Sequence, residues 1–114
     1  MAKYRNLIVW QKADELAFRI YKLSESFPKT EMFGLTSQIR RAALSIPTNI
    51  VEGYGRKSKK ELSRFLDISL GSLAEVEYLL GFAERLGYIK HDIFDSLSII
   101  DEVGKLLWSF QAKL

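Results

Sequence analysis

A chain of 114 residues, 47% hydrophobic and 27% charged, can bury one core but not two, so a single domain over residues 1–114 is expected and a disordered chain is excluded. With no cysteine it has no disulfide framework, thiolate nucleophile or zinc–thiolate site. The net charge of +3 is unevenly spread, because thirteen of the 17 Lys and Arg residues fall in residues 1–64 and eight of the 14 Asp and Glu residues in 65–114.

The opening MAKYRNLIVWQKADE turns charged too early for a secretory signal. No apolar run approaches the ~20 residues that span a bilayer, so a cytoplasmic location is expected. The first helix is predicted from Asn6 to Ser26. Val9, Ala13, Leu16, Ile20, Leu23 and Phe27 keep the spacing of a buried face, widened by Trp10, Ala17 and Tyr21. Pro28 stops it, since the residue before a proline is pushed out of helical geometry.

Thr30 or Glu31 starts the second helix, which runs to Gly53-Tyr54-Gly55, where glycine suits a left-handed cap. Pro47 lies inside it, at a cost of ~3 kcal/mol. The apolar and polar stripes stay in phase from Leu35 through Glu52, which favours a kink at Pro47 over a break. Ser58-Lys59-Lys60-Glu61 is a capping box that opens the third helix. Leu62, Phe65, Leu66, Ser69, Leu73, Val76 and Leu80 form its inner stripe to about Leu86, and Gly87 stops it. Asp92 opens the fourth, carrying Ile93, Leu97, Ile100, Val103, Leu107 and Phe110. No alternating run makes a convincing strand. Short connections then predict an all-α, antiparallel up-and-down four-helix bundle, with helix two kinked at Pro47.

Two helices are apolar over too much of their circumference for one core. The arc of helix four covers roughly 200°, taking in Ile99, Leu106 and Trp108. Helix three adds Ile68, Leu79 and Phe82, and helix two places Leu44 and Val51 opposite its core face, beside Arg40. Arg40, Leu44, Val51, Ile68, Leu79 and Phe82 are therefore the predicted contacts of a homo-oligomer.

Helix two also carries a polar stripe, Gln38, Arg41, Ser45, Asn49 and Glu52, beside the apolar arc of Leu35, Ile39, Ala42, Ile46, Ile50 and Gly53. Polar groups bordering a core are costly unless paired. Glu75 sits between Ile68, Leu79 and Phe82 on the third helix, with Ser72 beside it. A bidentate pair of Arg41 with Glu75 or Glu52, bridged by Asn49 and Ser72, is expected. Nothing in the stripe joins a general base to a nucleophile, so it reads as a buried network that fixes helix register rather than a catalytic site.

Chemistry elsewhere is sparse. A ferritin-like metal centre needs two Glu-x-x-His motifs. His91 is the single histidine and has no glutamate three residues before it, so neither metal nor cofactor is expected. Arg85-x5-His91 resembles the arginine–histidine motif of the helical HEPN ribonucleases, but it straddles a glycine turn without the usual polar companion and reads as a loop histidine near a surface arginine. The basic run Arg56, Lys57, Lys59, Lys60 and Arg64, with Lys3 and Arg5 as helpers, suits a polyanion. No aromatic interleaves with the lysines, so phosphates rather than bases would be read. Asp92, Asp95, Asp101 and Glu102 would oppose binding if they shared that surface.

The chain carries Leu7, Val9-Trp10-Gln11-Lys12-Ala13, Phe27-Pro28, Glu31, Gly34-Leu35-Thr36-Ser37-Gln38 and Arg40-Arg41-Ala42. It continues with Ser45-Ile46-Pro47, Asn49-Ile50, Glu52-Gly53 and Gly71-Ser72 with Glu75. In these residues it resembles the four-helix-bundle family encoded in intervening sequences of bacterial large-subunit ribosomal RNA genes. Val51, where the family usually has alanine, and Asn6, where it commonly has aspartate, depart from the pattern. The resemblance implies a cytoplasmic homo-oligomer, typically a pentameric ring. The related accessory protein of diversity-generating retroelements is implicated in binding nucleic acid and a reverse transcriptase, which implies RNA, DNA or a partner protein as partners. The expected function is that of a non-enzymatic, oligomeric, nucleic-acid-associated bundle. A protein-interaction scaffold without a nucleic-acid role is the competing class, ahead of a ribonuclease.

Overall fold

Apolar spacing organises four helices in the computed structural model, which describes residues 3–114: α1 (Ile8–Ser24), α2 (Leu35–Tyr54), α3 (Lys59–Arg85) and α4 (Phe94–Ala112). Short 3₁₀ segments, Lys3–Asn6 and Lys29–Glu31, precede α1 and α2. There is no strand among the described residues. α2 and α3 form the most extensive pair, α1 packs on α2 and α4, and α4 closes on α3, while the backbones of the diagonal pairs stay apart. Ser72 meets Ser45, Ser69 meets Ile46, and Phe65 and Leu62 meet Gly53. Rising numbers on α3 against falling ones on α2 make the pair antiparallel. Gln111 against Ser63 and Asp67, and Gly104 against Leu73, show the same for α4 on α3. The result is an up-and-down four-helix bundle of 43 × 25 × 24 Å. The 27 residues of α3, ~40 Å at 1.5 Å per residue, set its long dimension.

The core holds Leu16, Ile20, Ile39, Ile46, Ile50, Leu66, Leu80 and Leu107, all fully buried. Helix four buries Ile93, Ile100, Val103 and Leu107 as the spacing predicts, Ser96 and Ile99 join them, and Leu97 alone of the predicted stripe is exposed, at 38%. Ile93 is buried from the N-cap, in a non-helical conformation. Helix two runs unbroken through buried Pro47. That proline has no N–H to offer the Ala43 carbonyl one turn back. On the same turn, the Ser45 and Ile46 carbonyls accept side-chain hydrogen bonds from Asn49 at 2.7 Å and Ser69 at 2.9 Å.

The left-handed cap expected after helix two is absent. Gly55 has φ −82°, and its N–H continues the right-handed turn by donating to the Val51 carbonyl. Gly53 serves close packing instead: a β-carbon there would lie 2.8 Å from Phe65 Cβ and 2.9 Å from Leu62 Cδ1. The left-handed glycine is Gly87, with φ 78°. Tyr88 N–H donates to the Ala83 carbonyl and Gly87 N–H to that of Glu84, which is the Schellman arrangement that ends a helix. At the other end of α3, Ser58 Oγ accepts the Glu61 N–H at 3.1 Å.

Glu31 caps α2 from outside it. Its Oε1 accepts the Leu35 N–H at 3.0 Å, and its Oε2 accepts the Tyr88 hydroxyl at 2.9 Å, tying the α1–α2 connection to the end of α3. The Leu35 N–H first, and the Tyr88 hydroxyl second, hold the Glu31 carboxyl below the usual carboxylate range; the same bond pushes Tyr88 up. The unfolded chain therefore takes up the proton first as pH falls. This contribution is full above the ordinary value of ~4.3 and is lost as pH drops through the lowered folded value. Melting curves between pH 3 and 7 should show a shallower acid-side loss for Tyr88→Phe than for wild type, and a still shallower one for Glu31→Gln. Parallel curves for wild type and Glu31→Gln would show that the cap carries none of the acid sensitivity.

Candidate functional site

The polar stripe lies on the outer edge of the α2–α3 seam. Gln38, Arg41, Glu52 and Glu75 are exposed; Ser45, Asn49 and Ser72 are half-buried. The last three form a compact chain: Ser72 hydroxyl donates to Ser45 Oγ at 2.8 Å, and Asn49 Nδ2 donates to the same oxygen at 2.9 Å. The expected buried ion pair is not formed. Arg41 and Glu75 make no ion pair among the described residues, and Glu52 pairs with Arg56 at 3.5 Å. Small residues explain this. Ser72 meets Ser45, Ser69 reaches the Ile46 carbonyl and Phe65 abuts Gly53, so the helices lie too close for a guanidinium–carboxylate pair between them, and the charges stay at the wet rim. Arg41 and Glu75 line an open concavity of about 550 Å³ with Gln38, Ser45, Ser72 and Phe33.

Two of the predicted oligomer contacts are otherwise engaged. Leu79 is buried within the chain, beside Val76, Leu80 and Ala83, because the inner face of α3 is wider than one stripe. Arg40 turns to α1: its Nε donates to Ser24 Oγ at 2.7 Å, its Nη2 to the Tyr21 carbonyl at 3.2 Å, and its guanidinium lies 4.7 Å from the Tyr21 ring. The last turn of α1 presents unpaired carbonyls and the negative end of its dipole, so a cation belongs there. Leu44 and Ile68 remain exposed, and Val51 and Phe82 are half-buried. Sequence reasoning missed Phe33, which is 94% exposed at the mouth of the concavity. Its position in the connection Met32-Phe33-Gly34, just ahead of a helix, was the available signal.

The basic run gathers at the α2–α3 turn. Arg56, Lys57, Lys59, Lys60 and Arg64 are all exposed, and the three lysines make no ion pair among the described residues. The C-terminal end of α4 closes against this corner, with Gln111 Nε2 donating to Asp67 at 2.7 Å and Leu114 lining a shallow concavity with Lys59, Lys60 and Arg64. The 3₁₀ segment bearing Lys3 and Arg5 packs at the same end, against α1 and α2. Asp92 and Asp95 stand at the opposite end, where α4 begins. Asp101 pairs with Lys105 at 3.1 Å and Glu102 reaches Lys12 at 3.9 Å. An aromatic ring does enter the basic cluster, contrary to the sequence reading: half-buried Phe65 carries the Arg56 guanidinium at 5.0 Å and that of Arg64 at 4.9 Å.

Arg85 and His91 are not gathered into a site. Arg85 lies on the Phe82 ring, whereas His91 faces Phe18, Arg19 and Lys22 of α1. Among the described residues no three His, Asp or Glu side chains are placed to hold a metal ion. None of the described helices is long and apolar enough to cross a membrane.

A family model described as 23S rRNA-intervening sequence protein matches residues 5–109. The chain is also similar to a crystal structure of a protein of unknown function from the S23 ribosomal protein family of Bacteroides thetaiotaomicron VPI-5482. That similarity has a TM-score of 0.79 at 31% identity and covers 91% of this chain and 98% of that one. No curated protein matches the chain.

Proposed function

The chain belongs to the 23S rRNA-intervening sequence protein family, and on that premise we propose that it acts as a non-enzymatic, cytoplasmic homo-oligomer that associates with nucleic acid. A ring of five bundles is the assembly that the family resemblance favours. The observation that carries the reading is the segregation of charge: five exposed cations crowd one end of the bundle, while Asp92 and Asp95 lie at the other. Repeated around a ring, that corner becomes a continuous basic rim. Leu44 and Ile68, with Arg41 and Glu75, which form no ion pair among the described residues, supply surface for contact between copies.

The test is a filter-binding titration against RNA and DNA at 50 and 200 mM salt. With three to five phosphates neutralised per subunit, affinity should fall ~10²-fold across that range through counterion release. Reversing the charge of Lys57, Lys59 and Lys60 together should abolish binding at the higher salt. Absence of binding at low salt, or binding indifferent to that reversal, would favour a protein-interaction scaffold, for which the exposed Phe33 and Trp108 provide apolar anchors.

A further inference from the structure

Inside the basic cluster the aromatic ring holds arginines instead of lying open, while the exposed Trp108 lines a separate concavity with Leu73, Glu77 and Asp101. Phe65 seats both Arg56 and Arg64, and Arg5 lies 5.4 Å from the Trp10 ring and 5.5 Å from that of Tyr4. The β-carbon of Phe65 abuts Gly53 where α2 and α3 pack. We infer that this corner takes double-helical rather than single-stranded nucleic acid, with Arg56 and Arg64, seated on Phe65, as its phosphate-anchoring pair. The inference rests on the nucleic-acid reading above and names the form of the ligand and the residues that position it.

Single-strand sites present bare aromatic faces on which successive bases stack. Here the ring inside the cluster is already occupied by two guanidiniums, so a base has no face to take. What the corner does present is cationic. The two seated guanidiniums are at most about 10 Å apart, a span along which a duplex, with one charge per ~1.7 Å of axis, offers several phosphates. Seating also separates the arginines from the lysines in kind. A guanidinium stacked on a ring is planar and pre-oriented and can grip a phosphate through two N–H groups, whereas Lys57, Lys59 and Lys60 are flexible point charges. The Glu52 carboxylate, 3.5 Å from Arg56, is an exposed competitor that phosphate must displace. Tyr54 is the exposed ring nearby in sequence, and it falls on the helical row of Pro47 and Ile50, away from the seam that holds Phe65.

Fluorescence anisotropy of the full chain with a labelled 20-base-pair duplex, of RNA and of DNA, and with each corresponding single strand tests this. The duplex of either sugar should bind at least about tenfold more tightly than its strand. Arg56→Lys with Arg64→Lys should weaken duplex binding by about tenfold while leaving the salt slope unchanged, since the charge is kept. Phe65→Leu should do the same, with circular dichroism confirming its fold. Single strand bound as tightly as duplex, or binding lost on Tyr54→Ser, would overturn the inference. So would a double lysine variant that binds like wild type. Binding of neither form by the wild-type chain would instead remove the nucleic-acid reading itself.

Discussion

Gly53→Ala is expected to lower the melting temperature by roughly 5–10 °C, the shift that ~1–2 kcal/mol of net destabilisation produces in a domain of this size. Exchanging glycine for alanine in a helix ordinarily stabilises by up to ~1 kcal/mol, so the sign of the effect depends on the space available. At Gly53 the new methyl would meet Phe65 Cβ at 2.8 Å. That atom is fixed to the backbone of α3 and cannot swing aside, so the two helices must part near their shared turn. Gly55→Ala is the matched control. Its φ of −82° suits any residue, and a β-carbon there would come no closer than 3.6 Å to the neighbouring carbonyls. That variant should be neutral or slightly stabilising. Calorimetry at equal protein concentration compares the two, because association makes melting concentration-dependent. Equal melting temperatures for the two variants would show that the α2–α3 seam is not tight at Gly53.

Arg41→Glu is expected to dissociate the proposed oligomer, and Glu75→Arg in the same chain to restore it. Both side chains are exposed and free of ion pairs among the described residues, on facing rims of one concavity. In a ring each subunit offers one surface to its neighbour and receives a different one. When the neighbour covers the concavity, the guanidinium and the carboxylate that line it lose water together and compensate each other, whereas Arg41→Glu leaves two carboxylates there. Breaking a desolvated pair of this kind costs ~3–5 kcal/mol, enough to drive a micromolar assembly apart. The isolated bundle should keep its fold, since Arg41 has water around it there. Light scattering reads the mass of each variant. An unchanged mass for Arg41→Glu, or a monomeric wild-type chain, would remove this contact from the proposal.

The helices were legible because the apolar spacing in residues 9–23, 35–53 and 62–80 is regular and its stop signals are strong. Pro28, Ser58 and Gly87 each do locally what their chemistry dictates. The errors arose where local chemistry had two solutions. Gly53 and Gly55 carry the residue type of a left-handed cap, but a glycine also permits close helix approach, and only the position of Phe65 decides between them. Ile93 fits the apolar stripe of α4 by spacing and is buried, yet it does so from the cap, and Leu97 one turn on is exposed while Ser96 turns inward. The polar stripe was found but misplaced in depth. A helical wheel gives the direction of Arg41 but not how near α3 comes, and that distance decides whether a charge pair is buried or rimmed by water. Arg40 reads as outward on the wheel for the same reason: its partner, the C-terminal end of α1, meets it only once the helices are packed. The seating of Arg56 on Phe65 spans a turn, where periodicity carries no information.

Because the helix count is even, the first described residues and the last lie at the same end of the bundle, and Leu114 borders the concavity that includes Lys59 and Lys60. Anything joined to the chain at either terminus is therefore delivered beside the basic corner. An acidic affinity tag there would act as a tethered competitor at high local concentration, and a polyhistidine tag would add charge of its own as it protonates. Binding measured on such a fusion would report the tag together with the protein. The connection from Gly87 to Asp92 is at the far end of a 43 Å bundle, and a fluorophore or purification handle inserted there would leave the corner bare.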